Sequence, residues 1–368
     1  MNSLQTATVL GLTSGSALDG INAAIIKTDG VDVFEFGQTF DIPYDDSLRE
    51  ALRHIQRHFT EMSEEEKQRI EKSFTDFHIA AAREIIIENP SVSLVGFGGH
   101  VVCHKPLEHI LYQLGLLQNM ADELNIKVVG KFRHADILAG GQGAPLAPVY
   151  HAALAQKIEK PLAFVDIGGL SALTFIGENG ELIAFDTGPG NAALNDWVNK
   201  HGGMEMDYNG KLGITGHIHD DVLSSMMKHK FLSLLPPKAA DNQTFNNKLE
   251  HLEGLNLEDG AATVTAYIAE SITKAVRDFL PLCPTKIIVC GGGTKNPTLM
   301  RFLRQRLNDT EVVVADEYGF DAVNLEAQAF GFLAVRRLNH MPTSYPSTTG
   351  AVQEVIGGEI FEPCRCRV

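Results

Sequence analysis

The chain has 368 residues, carries 31 Lys and Arg against 46 Asp and Glu for a formal net charge of −15, and is 44% hydrophobic. That length exceeds what one hydrophobic core usually serves, so two domains are expected. The basic residues form no stripe and no apolar run is long enough to cross a bilayer, which argues against a nucleic-acid backbone or a membrane as partner. The opening MNSLQTATVL lacks the charged segment and apolar core of a signal peptide. Cys103, Cys283, Cys290, Cys364 and Cys366 are too few and too scattered for a disulfide framework. A cytoplasmic protein with reduced thiols is the expectation.

In chain order, a strand is predicted over Thr6 to Leu10, followed by the glycine-rich turn GLTSGSALDGIN and strands over Asn22 to Lys27 and Val33 to Phe40. Leu48, Leu52 and Ile55 mark an amphipathic helix. Ile70, Phe74, Phe77, Ala81 and Ile85 mark another, opened by a capping box of Ser63 and Glu66. Ser93 to Phe97 reads as a buried strand running into Gly98-Gly99. The order then recurs: strand Leu162 to Ile167, turn Gly168-Gly169, strand Ser171 to Ile176, turn Gly177 to Gly180, strand Leu182 to Phe185. Helices over Ala192 to Lys200 and Ala261 to Leu280 follow, then strand Ile287 to Cys290 entering Gly291-Gly292-Gly293. Residues Gly202 to Gly260, with Pro236-Pro237, read as an inserted subdomain. Two β-β-β-α-β units in series predict two similar α/β domains, with mixed sheets flanked by helices and a cleft between them.

Several motifs bear chemistry. In the first turn Gly15 and Gly20 permit close backbone approach, Ser14 and Ser16 can donate hydrogen bonds, and Asp19 can hold a magnesium-bound water. A plain Gly-Ser loop would look much the same, but the recurrence at Asp166-Ile167-Gly168-Gly169 favours two polyanion-binding turns. No GxxxxGK[ST] occurs, and no GxGxxG follows a strand and opens a helix, which disfavours Walker and Rossmann sites. Cys290 to Met300 combines a buried strand, a glycine triplet, the cap Asn296 and Pro297 at the first helical position, a place for a flat ring and for negative charge. Asp186, in FDTGPGN, sits where a strand ends and a helix begins, and could deprotonate a hydroxyl or a water, or simply bond its own turn. Arg133 could clamp a carboxylate or phosphate, while Gly140 to Gly143 could serve as hinge and ligand contact together. Glu326 opens an apolar helix. His217 and His219 lack a convincing third ligand, so no zinc site is expected.

Together SGSALDG, FGGHVVCHKP, KFRHADILAGGQGAPLAPVYH, DIGGLSALT, FDTGPGN, PPK, CGGGTKNPTLM, LEAQAF and TTGAVQEVIGG resemble one family over nearly the whole chain. It is the anhydro-N-acetylmuramic acid kinases, bacterial sugar kinases of the actin, Hsp70 and hexokinase superfamily. The resemblance implies two duplicated actin-like (ribonuclease H-like) domains. Residues 1–140, with 341–368 packing back, would form the first, and 141–340, with the insertion at about 202–260, the second. It implies an enzyme of cell-wall recycling that uses ATP and Mg2+ to open the 1,6-anhydro bridge of its amino sugar and phosphorylate O6, giving N-acetylmuramic acid 6-phosphate. Asp186 would be the base. Gly15, Ser16, Ala17, Leu18, Asp19, Gly20, Ile21 and Asn22 would form the first phosphate hairpin, Gly168 and Gly169 the second. Gly291, Gly292, Gly293 and Asn296 would hold adenosine, Arg133 and Glu326 would contact the sugar, and Asp19 would reach magnesium through water. A homodimer is implied as well.

Several positions depart from the family's usual pattern. SGTSLDG reads SGSALDG, placing Ala17 where a hydroxyl is usual, and FHGQT is replaced by Phe97-Gly-Gly-His-Val101. Lys131 replaces an Asp, Leu116 an Asp, Asp166 an Asn, Ala172 an Asn and Asn195 an Asp. A kinase for a related sugar and a catalytically weak nucleotide-binding protein are the alternatives these departures leave open.

Overall fold

A computed structural model describes residues 4–364 apart from 16, 17, 19, 106, 107, 109, 242 and 243, with only the backbone of 246–248. The chain divides into two compact units, Met1–Gln156 with Glu326–Val368, and Lys157–Leu325. The sequence expectation put these divisions at 140/141 and 340/341. The first unit begins with strands β1 (Ala7–Ser14), β2 (Gly20–Thr28) and β3 (Val33–Pro43), and helices α1 (Asp46–His58) and α2 (Glu64–Glu88). It continues through β4 (Leu94–Phe97), the hairpin β5 (His100–Lys105) and β6 (Ile110–Leu114), α3 (Leu117–Leu124), β7 (Lys127–Gly130), α4 (Phe132–Leu138) and α5 (Pro148–Leu154). The second unit holds β8 (Leu162–Ile167), β9 (Leu170–Ile176), β10 (Leu182–Pro189), α6 (Asn191–Gly202), α7 (Lys211–Thr215) and α8 (Asp220–Met226). After these come α9 (Leu257–Phe279), β11 (Lys286–Cys290), α10 (Pro297–Arg306) and β12 (Glu311–Val314). The chain then returns to the first unit with α11 (Leu325–Leu338), α12 (Pro346–Thr349) and β13 (Glu359–Phe361).

The expected duplication is present in the strand order. The first sheet runs β13-β7-β4-β1-β2-β3 and the second β10-β9-β8-β11-β12. In each, an antiparallel meander of three strands is extended by parallel strands on the other side of its first member. β13 is an extra edge strand, antiparallel to β7, that the C-terminal segment adds to the first sheet.

Local signals explain the helices. Ser63 accepts from the Glu66 amide at 3.3 Å while the Glu66 carboxylate accepts from the Ser63 amide at 3.0 Å, the reciprocal cap its spacing predicts for α2. Asp45 caps α1, whose Leu48, Leu52 and Ile55 are buried. α9 is buried nearly all round and forms the centre of the second core with Trp197, Phe175 and Phe185. Among the described residues of 203–256 there is no strand, and Leu223, Met226, Phe231, Leu232, Phe245 and Leu252 join that same core.

Two strands extend four residues further than predicted, β1 to Ser14 and β10 to Pro189. Ladder pairing with β2 and β9 outweighs the turn preference of Gly, Thr and Ser there. Gly11, expected in the turn, is a strand residue paired with Gly96. A Cβ on Gly11 would lie 1.8 Å from the Ala327 carbonyl oxygen, and one on Gly96 2.3 Å from that of Phe330. Both strand positions must be bare for α11 to rest on β1 and β4.

Candidate active site

In the first unit the glycine-rich stretch closes the β1–β2 hairpin, with Ser14 paired to Ile21 and Thr13 to Asn22. Leu18 is buried and takes a positive φ of 57°, its amide bonded to the Gly15 carbonyl at 3.1 Å. Gly20 packs against β3, where a Cβ would meet the Ile42 carbonyl oxygen at 2.2 Å. Asn22 donates to Asp41 at 2.7 Å. Ser16, Ala17 and Asp19 lie outside the described residues, as does Cys366 of the tail. Behind the hairpin, the Ser14 hydroxyl meets His100 Nδ1 at 3.2 Å and Gln56 meets Nε2 at 3.0 Å. Burial lowers the His100 pKa to about 4, so this ring is neutral at pH 7 and acts as a hydrogen-bonding strut.

Arg133 and Glu326 come from α4 and α11 of the same unit. Glu326 is half-buried and held above the usual carboxylate range by desolvation, an effect opposed by the Arg133 charge and a 3.4 Å hydrogen bond from Thr13. Arg133 Nη1 donates to the Gly143 carbonyl at 2.7 Å. That carbonyl is fixed from behind by Asp136, fully buried, whose Oδ1 accepts from the Gly143 amide at 2.7 Å. Asp136 Oδ2 takes the hydroxyls of Ser344 and Thr349, tying the 140–143 loop to the C-terminal segment.

In the second unit, Gly168-Gly169 joins β8 to β9, and its carbonyls accept from the amides of Gly190, Asn191 and Ala192, so the turn is clasped to the start of α6. Cys290 pairs with Asp166 across β11 and β8, which brings the two glycine loops of this unit together. Gly291 has φ 81°, and a Cβ there would lie 2.2 Å from Asp166 Oδ1. A Cβ on Gly293 would strike Ile167 Cγ2 at 2.5 Å, and one on Gly292 would lie 3.5 Å from Asn191 Nδ2. Asn296 is the buried N-cap of α10, its side chain accepting from the Leu299 amide at 3.0 Å.

Asp186 lies near the end of β10 at a β-bulge, where the register with β9 shifts between Asp186 and Gly188. It is 7% exposed. Its amide donates to the Lys238 carbonyl at 2.9 Å, and its Oδ2 accepts from the Ala240 amide at 2.8 Å. Asp166, Ala172 and Asp186 form one row across β8, β9 and β10. Their side chains therefore share a face, which Val165, Leu173 and Phe185 leave by turning to the core. Bulges of this kind re-aim a side chain at functional sites.

Residues 7–363 match the family model for anhydro-N-acetylmuramic acid kinase. The chain belongs to the anhydro-N-acetylmuramic acid kinase family. The anhydro-N-acetylmuramic acid kinase of Paramagnetospirillum magneticum is 40% identical over 359 residues, covering 96% of this chain and 99% of the relative. That of Rhodopseudomonas palustris strain BisB18 is 40% identical over 367 residues, covering 97% and 100%. Among solved structures, a ROK family glucokinase from Streptomyces griseus in complex with glucose and AMPPNP covers 89% of this chain and 98% of its own at 11% identity. Its TM-score of 0.39 is too low to add to the family match. As a member of the anhydro-N-acetylmuramic acid kinase family the chain is an ATP-using sugar kinase, and its repeated strand order shows the duplication of two α/β units.

Within this kinase, residues that sequence reasoning did not single out support those it did. Asp136 is one such case. Lys238 is another. The residue is 3% exposed, and its Nζ donates to the Phe231 carbonyl at 3.0 Å and lies 4.3 Å from the Phe279 ring centroid and 4.9 Å from that of Phe231. The PPK triplet was its one sequence signal. Two departures from the family pattern, Leu116 and Lys131, line one cavity of about 310 Å³ together with Phe97, His134 and Phe361. Two others, Asp166 and Ala172, share the row of Asp186.

Proposed function

We propose that the protein converts 1,6-anhydro-N-acetylmuramic acid, ATP and water into N-acetylmuramic acid 6-phosphate and ADP. A water oxygen bonds to the anomeric carbon as the bond from that carbon to O6 breaks, and O6 takes the γ-phosphoryl group of ATP. Asp186 accepts the proton the water loses. The observation that carries this reading is the setting of Asp186: a carboxylate nearly withdrawn from solvent, fixed by a backbone amide, at a bulge in the second sheet. A fixed, partly desolvated carboxylate is what general-base activation of water asks for.

Arg133 and Glu326 are the proposed sugar contacts, a cation and a carboxylate supported by Asp136 and Thr13. Gly15 to Asn22, with Gly168 and Gly169, are the proposed phosphate contacts, and Gly291 to Gly293 with Asn296 the proposed adenosine contacts. Magnesium supplies charge neutralisation to the triphosphate and keeps several of its waters. Asp19 is its proposed contact, and the Asp166 carboxylate beside Gly291 is a second hard oxygen donor of the right chemistry. We place the enzyme in the cytoplasm, in peptidoglycan recycling, as a homodimer. A related amino sugar is a second reading, favoured by Leu116 and Lys131, two departures from the family pattern that line the 310 Å³ cavity.

The test is ADP release with magnesium-ATP and anhydro-N-acetylmuramic acid in H2(18)O. The expected product is the 6-phosphate with one heavy oxygen at the anomeric carbon. Turnover confined to another sugar establishes the second reading, and binding without turnover leaves a nucleotide-binding protein. Asp186→Asn should lower kcat by about 100- to 10,000-fold, the usual contribution of a positioned base. Full turnover by that variant would remove Asp186 from the role.

A further inference from the structure

The second unit contains a buried ammonium group that phosphoryl transfer does not by itself require. Lys238 Nζ lies 4.3, 4.9 and 5.8 Å from the ring centroids of Phe279, Phe231 and Phe185. Nζ donates a hydrogen bond to the Phe231 carbonyl, at 3.0 Å. Such a seat is costly for an ammonium unless ring faces, a carbonyl and nearby carboxylates together replace its water. The walls come from three separate places: Phe185 precedes Asp186 in β10, Phe231 lies ahead of the 238–240 segment, and Phe279 ends α9. Seating the ammonium therefore fixes the 238–240 segment relative to β10.

That segment is what holds Asp186. The Lys238 carbonyl accepts from the Asp186 amide at 2.9 Å, and the Ala240 amide, two residues on, donates to Asp186 Oδ2 at 2.8 Å. The backbone and one carboxylate oxygen of Asp186 are thus both set by a strip of chain anchored through the Lys238 side chain. We infer that Lys238 is a positioning residue for the kinase reaction, its caged ammonium holding the strip that aims the Asp186 carboxylate.

This inference rests on the reading of Asp186 as the base. It also predicts a pH response. The charged groups facing Lys238 are Lys274 and Asp278 of α9 and Asp186 of β10. Desolvation, then Lys274, lowers the Lys238 pKa to about 8, while Asp186 and Asp278 oppose the shift. At pH 7 such a group is about nine-tenths protonated, and raising the pH through 8 removes the charge that the cage holds. Activity should fall on that alkaline side as the strip loosens.

The experiment measures kcat and KM for both substrates from pH 6 to about 9.5 in the wild type, Lys238→Met, Lys238→Arg and Asp186→Asn, with thermal unfolding of each. In the wild type kcat should fall above about pH 8. Lys238→Met keeps the apolar length without the charge. It should lower kcat about 10- to 100-fold, leave KM for ATP within about twofold, and abolish the alkaline limb. Lys238→Arg keeps the charge at every accessible pH, so it should recover part of kcat and move the limb beyond the measured range. A Lys238→Met enzyme within about twofold of wild-type kcat, or one with an unchanged limb, overturns the inference. Should Lys238→Met not fold, Lys238→Arg decides, since an unchanged limb in that variant overturns the inference as well. An inactive Asp186→Asn beside a fully active Lys238→Met rejects the positioning role alone, whereas a fully active Asp186→Asn rejects the base and the positioning role together.

Discussion

Asp136→Asn tests the way the first unit supports its proposed sugar contacts. The carboxylate is fully buried and accepts from the Gly143 amide at 2.7 Å and from the hydroxyls of Ser344 and Thr349. Each hydrogen bond to a charged acceptor contributes about 1.5–3 kcal/mol. Those contributions do not add fully, because the Asn carbonyl can keep the Gly143 amide and the Thr349 hydroxyl already has the Tyr345 carbonyl within 3.4 Å. What Asn cannot do is accept two hydroxyls with an NH2 group. The expected loss is about 2–4 kcal/mol, read as a lower urea midpoint at unchanged slope. Function should change through Arg133, whose Nη1 is held by the Gly143 carbonyl. KM for the sugar should rise about tenfold, with KM for ATP unchanged. Gly141 passes close by the same carboxylate, where a Cβ would lie 2.1 Å from Asp136 Oδ1. A variant within about 0.5 kcal/mol of wild type, with sugar KM unaltered, would show that Asp136 organises neither the loop nor Arg133.

Three buried histidines of the first unit make its stability acid-sensitive. Desolvation lowers His78 and His151 to about 3 and His100 to about 4, from 6.5. Each therefore stabilises the fold fully above pH 6.5, and that stability is lost as pH falls toward the folded value. His100→Gln, which can still bond Ser14 and Gln56, should reduce the slope of unfolding free energy between pH 6 and 4.5 by about 1.4 kcal/mol per pH unit, and an unchanged slope refutes the buried neutral state. In the second unit, Gly260→Ala should be destabilising despite alanine's helix advantage of about 1 kcal/mol. A Cβ there would lie 2.0 Å from the Trp197 ring, whose indole donates to the Leu257 carbonyl at 2.9 Å. Overpacking typically costs about 1–3 kcal/mol, so a net loss of thermal stability and a changed tryptophan fluorescence are expected, and a more stable variant would contradict the packing.

Elements whose determinants are close in sequence were legible. The Ser63–Glu66 box, the Leu48-Leu52-Ile55 stripe and strand Leu162–Ile167 each announce themselves within a few residues. The glycine loops were legible as loops, and their recurrence pointed to duplication. Lys238 and Asp136 were not legible in the same way, because their partners are remote. Asp136 meets Ser344 and Thr349 across 208 and 213 residues of chain. The cage of Lys238 draws on rings from three elements, and no local pattern distinguishes a lysine bound for such a cage from one bound for solvent. Gly11 was misplaced for a related reason. Its neighbours Thr13, Ser14 and Gly15 favour a turn, while the demand that makes it glycine comes from Ala327, more than 300 residues on.

That demand also accounts for how Glu326 reaches its position. Gly11 and Gly96 are register partners in adjacent parallel strands, so their missing side chains leave one continuous bare patch on the sheet. α11 rests there by its own backbone, at Ala327, Phe330 and Gly331, rather than by side chains that could slide. A helix seated on backbone contacts has its height and rotation fixed, and with them the direction of its first turn. Glu326 belongs to that first turn, and Thr13, two residues beyond Gly11 on the same strand, donates to it at 3.4 Å. The glycine that looks dispensable in β1 thus sets the depth at which a half-buried carboxylate stands beside Arg133, and a side chain there would move the proposed sugar contact without touching it.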